Sequence, residues 1–437
     1  MFSRILRTWA SLQRSQWFKK NRLTTIQDAK VRRIVNHAYH NVPFYNKLYH
    51  RMDVDRVKHV SDLSTLPPIT RRDLQGETLD ARTAARTDLT ACMLRTTSGT
   101  TACPVQVLED ALSVAYRDAL NLRLLWAYGA RPFDKLCRMR ISDPTGTKPK
   151  ARLSDVGLWG FLRAHGMKQL LYDSDPATVV AILSDWEPSI IFGMGSYLRL
   201  LSEYAEQLSL PLHCKTAITS GEILDGSTRS SLRTRFHADI YDHYGMEEVG
   251  GSIAWECPTH SGYHINDECV ILEFLRDGEP VAPGEPGEIH VTSLTRTVTP
   301  IIRYATGDVA TPLCFKCQCG RGLSLLKDIQ GRILDFIITK DGRYVSPASI
   351  ISRLQDVRGL DQFKVVQNQN ASIDIRVRIA AGLEIPTRVK LEQICTELFS
   401  DTPVRIIHVA KIDYALGRKF RIVESSLTNR WPESQVA

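Results

Sequence analysis

Hydrophobic positions change their spacing along this chain, and each change predicts a different kind of structure. Ile26, Val31, Ile34, Val35 and Ala38 recur at helical intervals, so residues 26–60 read as mostly helical, with a break at Asn41-Val42-Pro43. Pro67-Pro68 ends the next segment. Past residue 90, short β-rich runs at 190–192, 216–219 and 238–241 alternate with helical stretches at 197–208 and 227–236. That alternation predicts an α/β unit with a substantially parallel sheet. From 270 the pattern turns to strands and turns: Val270–Leu275, then Asp277-Gly278, then Glu288–Leu294.

The last hundred residues read as a separate small unit. Residues 333–339 and Tyr344-Val345 flank Lys340-Asp341-Gly342-Arg343, a β-hairpin pattern. Strands at 363–367 and 372–380 flank the turn Asn368-Gln369-Asn370, and a helix over 388–399 and a strand over 405–409 follow. This ββαβ texture predicts a small α+β domain joined near 332–335.

At the other end, Phe2, Ile5, Leu6, Trp9 and Leu12 fall at helical spacing with Arg4 and Arg7 between them. The arginines interrupt the apolar core that a signal peptide would need. A basic amphipathic helix of this kind can pack on the protein's own body or lie on an anionic membrane surface through residues 1–20.

Composition narrows the class. The chain has 437 residues, 43% hydrophobic and 24% charged, which fits an ordinary globular protein of two or three domains. No apolar run reaches the roughly 18 residues of a membrane span. The net charge of +8 is concentrated: residues 1–60 hold 13 Lys/Arg against 3 Asp/Glu, and the remainder is nearly balanced. A nucleic-acid partner is therefore not expected. Without an export signal the expected location is cytoplasmic, and the ten cysteines read as buried thiols or metal ligands rather than disulfides.

Four constellations carry candidate chemistry. Arg95-Thr96-Thr97-Ser98-Gly99-Thr100-Thr101 is a donor-rich loop able to cradle phosphate, or a plain turn; it lacks the Gly-Lys-Ser/Thr of a Walker loop. Tyr241-Asp242-His243-Tyr244-Gly245-Met246-Glu247-Glu248 sets carboxylates at a strand end, where oxygen ligands suit Mg²⁺; a solvated helix start is the plainer alternative. Arg303-Tyr304-Ala305-Thr306-Gly307-Asp308 puts an acid on a tight turn, suited to gripping a ribose diol. Cys257-x2-His260 and Cys317-x-Cys319 are paired clusters suited to tetrahedral zinc, with Cys314 and His264 as alternates. Four protein ligands would fill the shell, so that site is expected to be structural.

The first three motifs, in this order, resemble the adenylate-forming superfamily of acyl- and aryl-CoA synthetases over nearly the whole chain. Ser98-Gly99-Thr100-Thr101 looks like its phosphate loop, Tyr244-Gly245-Met246-Glu247 like its Tyr-Gly-x-x/Thr-Glu element, and Gly331-Arg332-x-x-Asp335 like its hinge. His40-Asn41-Val42-Pro43-Phe44-Tyr45, Leu66-Pro67-Pro68-Ile69-Thr70-Arg71, Ser220-Gly221-Glu222 and Cys317-x-Cys319-Gly320-Arg321 are most similar to the phenylacetate-CoA ligase-like branch, which includes capsule-biosynthesis adenylate-forming proteins. The fold implied is α/β: a large N-terminal adenylate-forming domain with parallel-rich sheets and a small C-terminal α+β domain. Its parts would be a helical region over 1–90, an ATP- and acyl-binding core over 91–332 and a mobile domain over 333–437.

By that resemblance, Thr97, Ser98, Gly99, Thr100 and Thr101 would hold ATP phosphates. Ser220, Gly221 and Glu222, with Tyr241, Asp242, Tyr244 and Gly245, would line the adenine and acyl pocket. Glu247 would hold Mg²⁺, Asp308 the ribose hydroxyls and Arg332 the nucleotide near the hinge. The implied reaction activates a carboxylic acid, aryl or related, to acyl-AMP with release of pyrophosphate, then transfers the acyl group to a thiol, with coenzyme A the expected acceptor, or to another acceptor such as an amine. Family members rotate the C-terminal domain between these half-reactions.

Two departures stand out. The phosphate loop continues Ala102-Cys103-Pro104 where Gly-x-Pro is usual, and the C-terminal lysine element reads Gly417-Arg418-Lys419-Phe420-Arg421 rather than containing Gly-Lys. Lys419 is taken as the adenylation lysine, with Arg418 as the other alignment. These departures motivate the alternative of a non-catalytic adenylate-fold protein with an assembly or regulatory role in polysaccharide or capsule biosynthesis. A homodimer is left open.

Overall fold

The computed structural model describes residues 1–97, 104–141, 166–412 and 419–427. Three helices open the chain: α1 (Phe2–Ser15), α2 (Lys20–Asn41) and α3 (Pro43–Tyr49). The expected break falls at Val42, which is extended, and Pro43 occupies the start of α3, where its missing N–H leaves no bond unmade. A short helix α4 (Arg71–Gly76) carries a capping box between Thr70 and Asp73. The hairpin of β1 (Met93–Thr96) and β2 (Gln106–Glu109) and the long helix α5 (Ala111–Ala127) complete the first part.

The alternating middle forms a parallel half-sheet. β3 (Leu136–Arg140), β4 (Met167–Leu171), α6 (Pro176–Trp186), β5 (Ile190–Gly193), α7 (Gly195–Gln207), β6 (Thr216–Ser220), α8 (Gly226–Phe236) and β7 (Asp239–Met246) follow in order. Strands β4, β3, β5, β6 and β7 lie side by side and parallel. Asp175 and Asp225 accept the N–H groups of Thr178 and Thr228, which starts α6 and α8 sharply.

Beyond β7 the chain meanders antiparallel through β8 (Gly251–Glu256), β9 (Tyr263–Ile265), β10 (Val270–Arg276), β11 (Glu279–Pro280), β12 (Gly287–Ser293), β13 (Tyr304–Leu313) and β14 (Leu325–Arg332). Among the described residues these strands join the parallel half in one twelve-stranded sheet, ordered β11-β10-β12-β13-β14-β9-β8-β7-β6-β5-β3-β4. The apolar stripe of α2, Val31, Ile34, Val35 and Ala38, packs on its antiparallel end against Ile271, Ile289 and Val291.

The C-terminal segment builds its own layer. β15 (Ile337–Ile338) and β16 (Tyr344–Val345) form the expected small hairpin, followed by α9 (Pro347–Gln355). Then β17 (Leu360–Gln367), β18 (Ile373–Ile379), α10 (Glu384–Phe399), β19 (Val404–His408) and β20 (Val423–Ser425) form a sheet of order β19-β18-β17-β20. Val365, Ile375 and Val377 of this sheet pack with Ile350, Leu354, Leu391 and Phe399 of the two helices.

The N-terminal helix packs on the body. Ile5 and Leu12 of α1 are buried against α5, and Trp9 meets Trp126 edge-on at 5.5 Å. Phe2 and Leu6, on the same apolar stripe, stay 40% exposed. No helix among the described residues is long and apolar enough to cross a membrane.

Candidate active site

The carboxyl ends of the parallel strands open into a crevice, the place where open α/β sheets collect ligands. β6 ends at Ser220, whose hydroxyl lies 3.0 Å from His243 Nδ1 on the neighbouring strand. His243 is buried, and burial, with Arg138 as a lesser cause, pushes its pKa down to about 3, so the ring is neutral. Its Nε2 has no hydrogen-bond partner among the described residues.

Gly221 follows in the left-handed region, φ +86°. A Cβ there would stand 3.3 Å from Lys419 Cε, so glycine both permits the turn and leaves room for the lysine chain. The Glu222 carboxylate caps the start of α7, accepting from Ser196 N at 3.1 Å and from Ser196 Oγ at 2.9 Å. It also accepts the backbone N–H of Phe420, which belongs to the C-terminal segment. Burial raises the Glu222 pKa against those hydrogen bonds.

On the other side of the crevice, Asp308 of β13 pairs in register with Arg332 of β14. Asp308 Oδ2 accepts from the Tyr244 hydroxyl at 2.7 Å, and Oδ1 lies 3.3 Å from Arg332 Nε. Lys419 is half-buried beside them. Burial and Arg332 lower its pKa, while Asp308, Glu222 and Glu248 pull the other way. The sequence-predicted residues Gly221, Glu222, Tyr244, Asp308, Arg332 and Lys419 are thus brought to one place, and Ser220 and Gly245 border it. Arg418 lies outside the described residues.

Three expectations are corrected. Tyr241 was expected to line the pocket, but strand alternation turns its ring into the core. It stacks on Tyr128 at 3.9 Å and on His260 at 5.2 Å. Asp242, on the opposite face, accepts from Thr219 Oγ1 at 2.5 Å and from the Tyr263 hydroxyl at 2.9 Å, and burial pushes its pKa up to about 7.

Glu247 was expected to face the nucleotide side. Its charge instead acts on Arg117, Arg138 and Arg296, and its carbonyl accepts from Arg296 at 2.9 Å. Glu248, one residue on, turns the other way: it is buried, 3.5 Å from Arg71, with Arg332 and Lys419 in its field. The signal for it was present in the spacing Tyr244-Gly245-x-x-Glu248. The arginines around Glu247 also hold Glu109, which burial would raise but Arg117, Arg296 and Arg95 together keep at about 2.

The third correction concerns the cysteine cluster. His260 is half exposed, and its Nδ1 lies 2.8 Å from Glu256. The chain reverses after it into β9, which brings His264 inward to face Trp255 and Leu325. His264 Nε2 then lies 3.1 Å from Cys319 Sγ, and Cys257 Sγ lies 3.5 Å from Cys317 Sγ. The ligand atoms of Cys257, His264, Cys317 and Cys319 all fall within 4.8 Å of one another, whereas Cys314 is exposed.

Ser98, Gly99, Thr100 and Thr101, which the sequence suggests as a phosphate loop, lie outside the described residues with Ala102 and Cys103. Their frame is described. Thr97 N donates to the Val105 carbonyl at 2.9 Å, Val105 N donates to Thr97 Oγ1 at 3.0 Å, and Arg71 reaches the same hydroxyl at 3.4 Å. The β1–β2 hairpin therefore closes the base of that loop beside Glu248.

Comparison with known proteins gives the following likenesses. Residues 154–297 match the AMP-binding enzyme family. A phenylacetate-coenzyme A ligase of Escherichia coli is 25% identical over 431 residues, covering 92% of this chain and 94% of its own. One from Thermus thermophilus is 25% identical over 370 residues, covering 81% and 80%. The fold matches that of 2-hydroxyisobutyryl-CoA ligase in its postadenylation state, with a TM-score of 0.78 at 18% identity over 95% of this chain and 92% of that one. The thioesterification state of the same ligase gives 0.64, with 19% identity and the same coverage of 95% and 92%.

Proposed function

We infer that this chain is an adenylate-forming acid–thiol ligase of the phenylacetate-CoA ligase-like branch, which uses ATP to turn a carboxylic acid into acyl-AMP and passes the acyl group to coenzyme A. The acid we assign is an aryl or related carboxylic acid, the class acted on by the named relatives. A carboxylate oxygen attacks the α-phosphorus, the bond from that phosphorus to the bridging oxygen breaks, and pyrophosphate leaves. The coenzyme A thiolate then attacks the acyl carbonyl carbon, and the C–O bond to AMP breaks.

Most of the work in such a reaction is positioning and neutralising charge. Asp308 is suited to accept from both ribose hydroxyls, with Tyr244 holding its second oxygen in place. Arg332, tied to Asp308, brings a cation to the phosphate side. Lys419 supplies an ammonium where negative charge accumulates between the carboxylate and the α-phosphate. His243, neutral and joined to Ser220 through Nδ1, offers its Nε2 nitrogen.

Glu248 is buried, and burial raises its pKa although Arg71 and Arg332 pull it down; its carboxylate oxygens fit a hard cation. When bound there, Mg²⁺ would neutralise phosphate charge. The thiol and imidazole set Cys257, His264, Cys317 and Cys319 fits tetrahedral zinc, whose sulfur ligands stand roughly 3.7 Å apart at Zn–S bonds of about 2.3 Å. Four protein ligands leave no open position, so the role we assign to that metal is structural.

The observation that supports the nucleotide roles most directly is the meeting of Tyr244, Asp308 and Arg332 with Lys419 from the separate C-terminal layer. The test is carboxylate-dependent ATP–pyrophosphate exchange across a panel of aryl and alkyl acids, followed by thioester detection with coenzyme A. Exchange that no carboxylate stimulates would refute the activity.

A further inference from the structure

We propose that the cysteine–histidine cluster, loaded with zinc, is the clasp that fastens the N-terminal arm to the body of the enzyme. This rests on the metal reading of the cluster but adds a function to it. Cys319 is followed at once by the residues that receive the α1–α2 junction. The Arg321 guanidinium lies between two indoles, 4.8 Å from Trp17 and 5.1 Å from Trp255, and its Nε donates to Gln16 Oε1 at 2.9 Å. Gly322 N donates to the Gln16 carbonyl at 2.8 Å. The arm passes so close that a Cβ on Gly322 would stand 1.8 Å from the Phe18 carbonyl oxygen. Leu323 packs with Phe18 and Leu23. Ser324 donates through N and Oγ to Asp267, which also meets Lys20 at 3.5 Å.

The segment from Cys314 to Gly322 has neither helix nor strand to hold this socket in shape. What fixes its path is the cluster: Cys317 and Cys319 are drawn against Cys257 at the end of β8 and His264 in β9. A metal joining the four ligands ties the loop to the sheet at the point where the socket begins. Removing it frees the loop, and the Gln16–Lys20 junction loses its seat while the C-terminal layer is untouched.

The test uses the full-length protein. Bound zinc is counted by elemental analysis, and trypsin cleavage is timed at Lys19, Lys20 and Arg22 before and after treatment with a strong zinc chelator. Cleavage within residues 384–399 serves as the internal control. We expect one zinc per chain and at least a roughly tenfold faster cut at the junction after chelation, with the control unchanged, as for a local opening rather than global unfolding. Gly322→Val should give the same fast junction cut with zinc still bound. Zinc present but junction protection unchanged on its removal overturns the clasp alone. Absence of zinc, in protein never exposed to chelator, overturns the metal reading and the clasp with it. Carboxylate-dependent pyrophosphate exchange by the untreated protein reports separately on the ligase assignment.

Discussion

Replacing Glu222 with alanine should slow acyl-AMP formation while sparing thioester formation from acyl-AMP that is supplied. Its carboxylate is anchored by Ser196 through two hydrogen bonds, so the side chain is already positioned on the large unit. The third bond, from Phe420 N–H, crosses to the C-terminal layer one residue from Lys419. A hydrogen bond to a charged acceptor contributes roughly 1.5–3 kcal/mol. If that bond exists only when Lys419 is seated, its loss lowers the population of the seated arrangement by about 10- to 150-fold, at about 1.4 kcal/mol per factor of ten. The second half-reaction uses another arrangement of the C-terminal domain in the family that this chain resembles, so it should change by less than about threefold. Glu222→Gln keeps the shape and one acceptor oxygen and should fall between wild type and alanine. The assay is single-turnover pyrophosphate release set against coenzyme A-dependent consumption of preformed acyl-AMP. Equal losses in both half-reactions, or none in the first, would refute the seating role.

Other substitutions probe the remaining contacts. Asp308→Ala should weaken ATP binding by roughly 1.5–3 kcal/mol, read by calorimetry, and unchanged affinity would remove the ribose assignment. Lys419→Ala should slow adenylation by roughly 10²-fold or more, with thiol transfer from supplied acyl-AMP nearly normal. Glu248→Gln should raise the Mg²⁺ concentration needed for half-maximal exchange, whereas Glu247→Gln should leave it unchanged; the reverse order would restore Glu247. Asp242 has a folded-state pKa of about 7, above its model-peptide value of 3.8, so the native state binds the extra proton. Its stabilising contribution is complete below pH 4 and is lost as pH rises to about 7. Asp242→Asn should therefore flatten the fall in melting temperature between pH 5 and pH 8, whatever its effect at one pH, and an unchanged slope would sink the assignment.

Much of the architecture could be read from periodicity because each burial pattern has one geometric solution. The inward positions Val31, Ile34, Val35 and Ala38 can share a face only on a helix, and the runs at 190–192, 216–219 and 238–241 became adjacent parallel strands because helices separate them. Periodicity could not place β20, whose three residues owe their strand to pairing with Val365–Gln367 in a distant part of the sequence. At the site, motif spacing singled out Asp308, Arg332 and Lys419, which the structure brings together, but it took the wrong neighbour where one residue decides the face. His264 displaced His260 because β9 reverses the chain between them, and a Cys-x2-His count contains no information about that reversal.

The pair Glu247 and Glu248 shows why such errors concentrate at the chemistry. Between Tyr244 and Gly245 the register of β7 against β8 shifts, and Glu247–Val249 form a single 3-10 turn. An irregular strand end re-aims consecutive side chains, so two adjacent carboxylates can serve opposite surfaces. One meets the arginine cluster that surrounds Glu109, and the other meets Arg71, Arg332 and Lys419. The second environment is assembled from both layers of the protein. Asp308, Glu222 and Glu248 favour a charged Lys419, while burial and Arg332 oppose it. On the proposed reading, a lysine held in that balance, without one rigid partner, would be open to an incoming phosphate. On the same reading, Asp308 and Arg332, fixed in register on adjacent strands, form the rigid half of the site, and Lys419, on the C-terminal layer, the half that would leave.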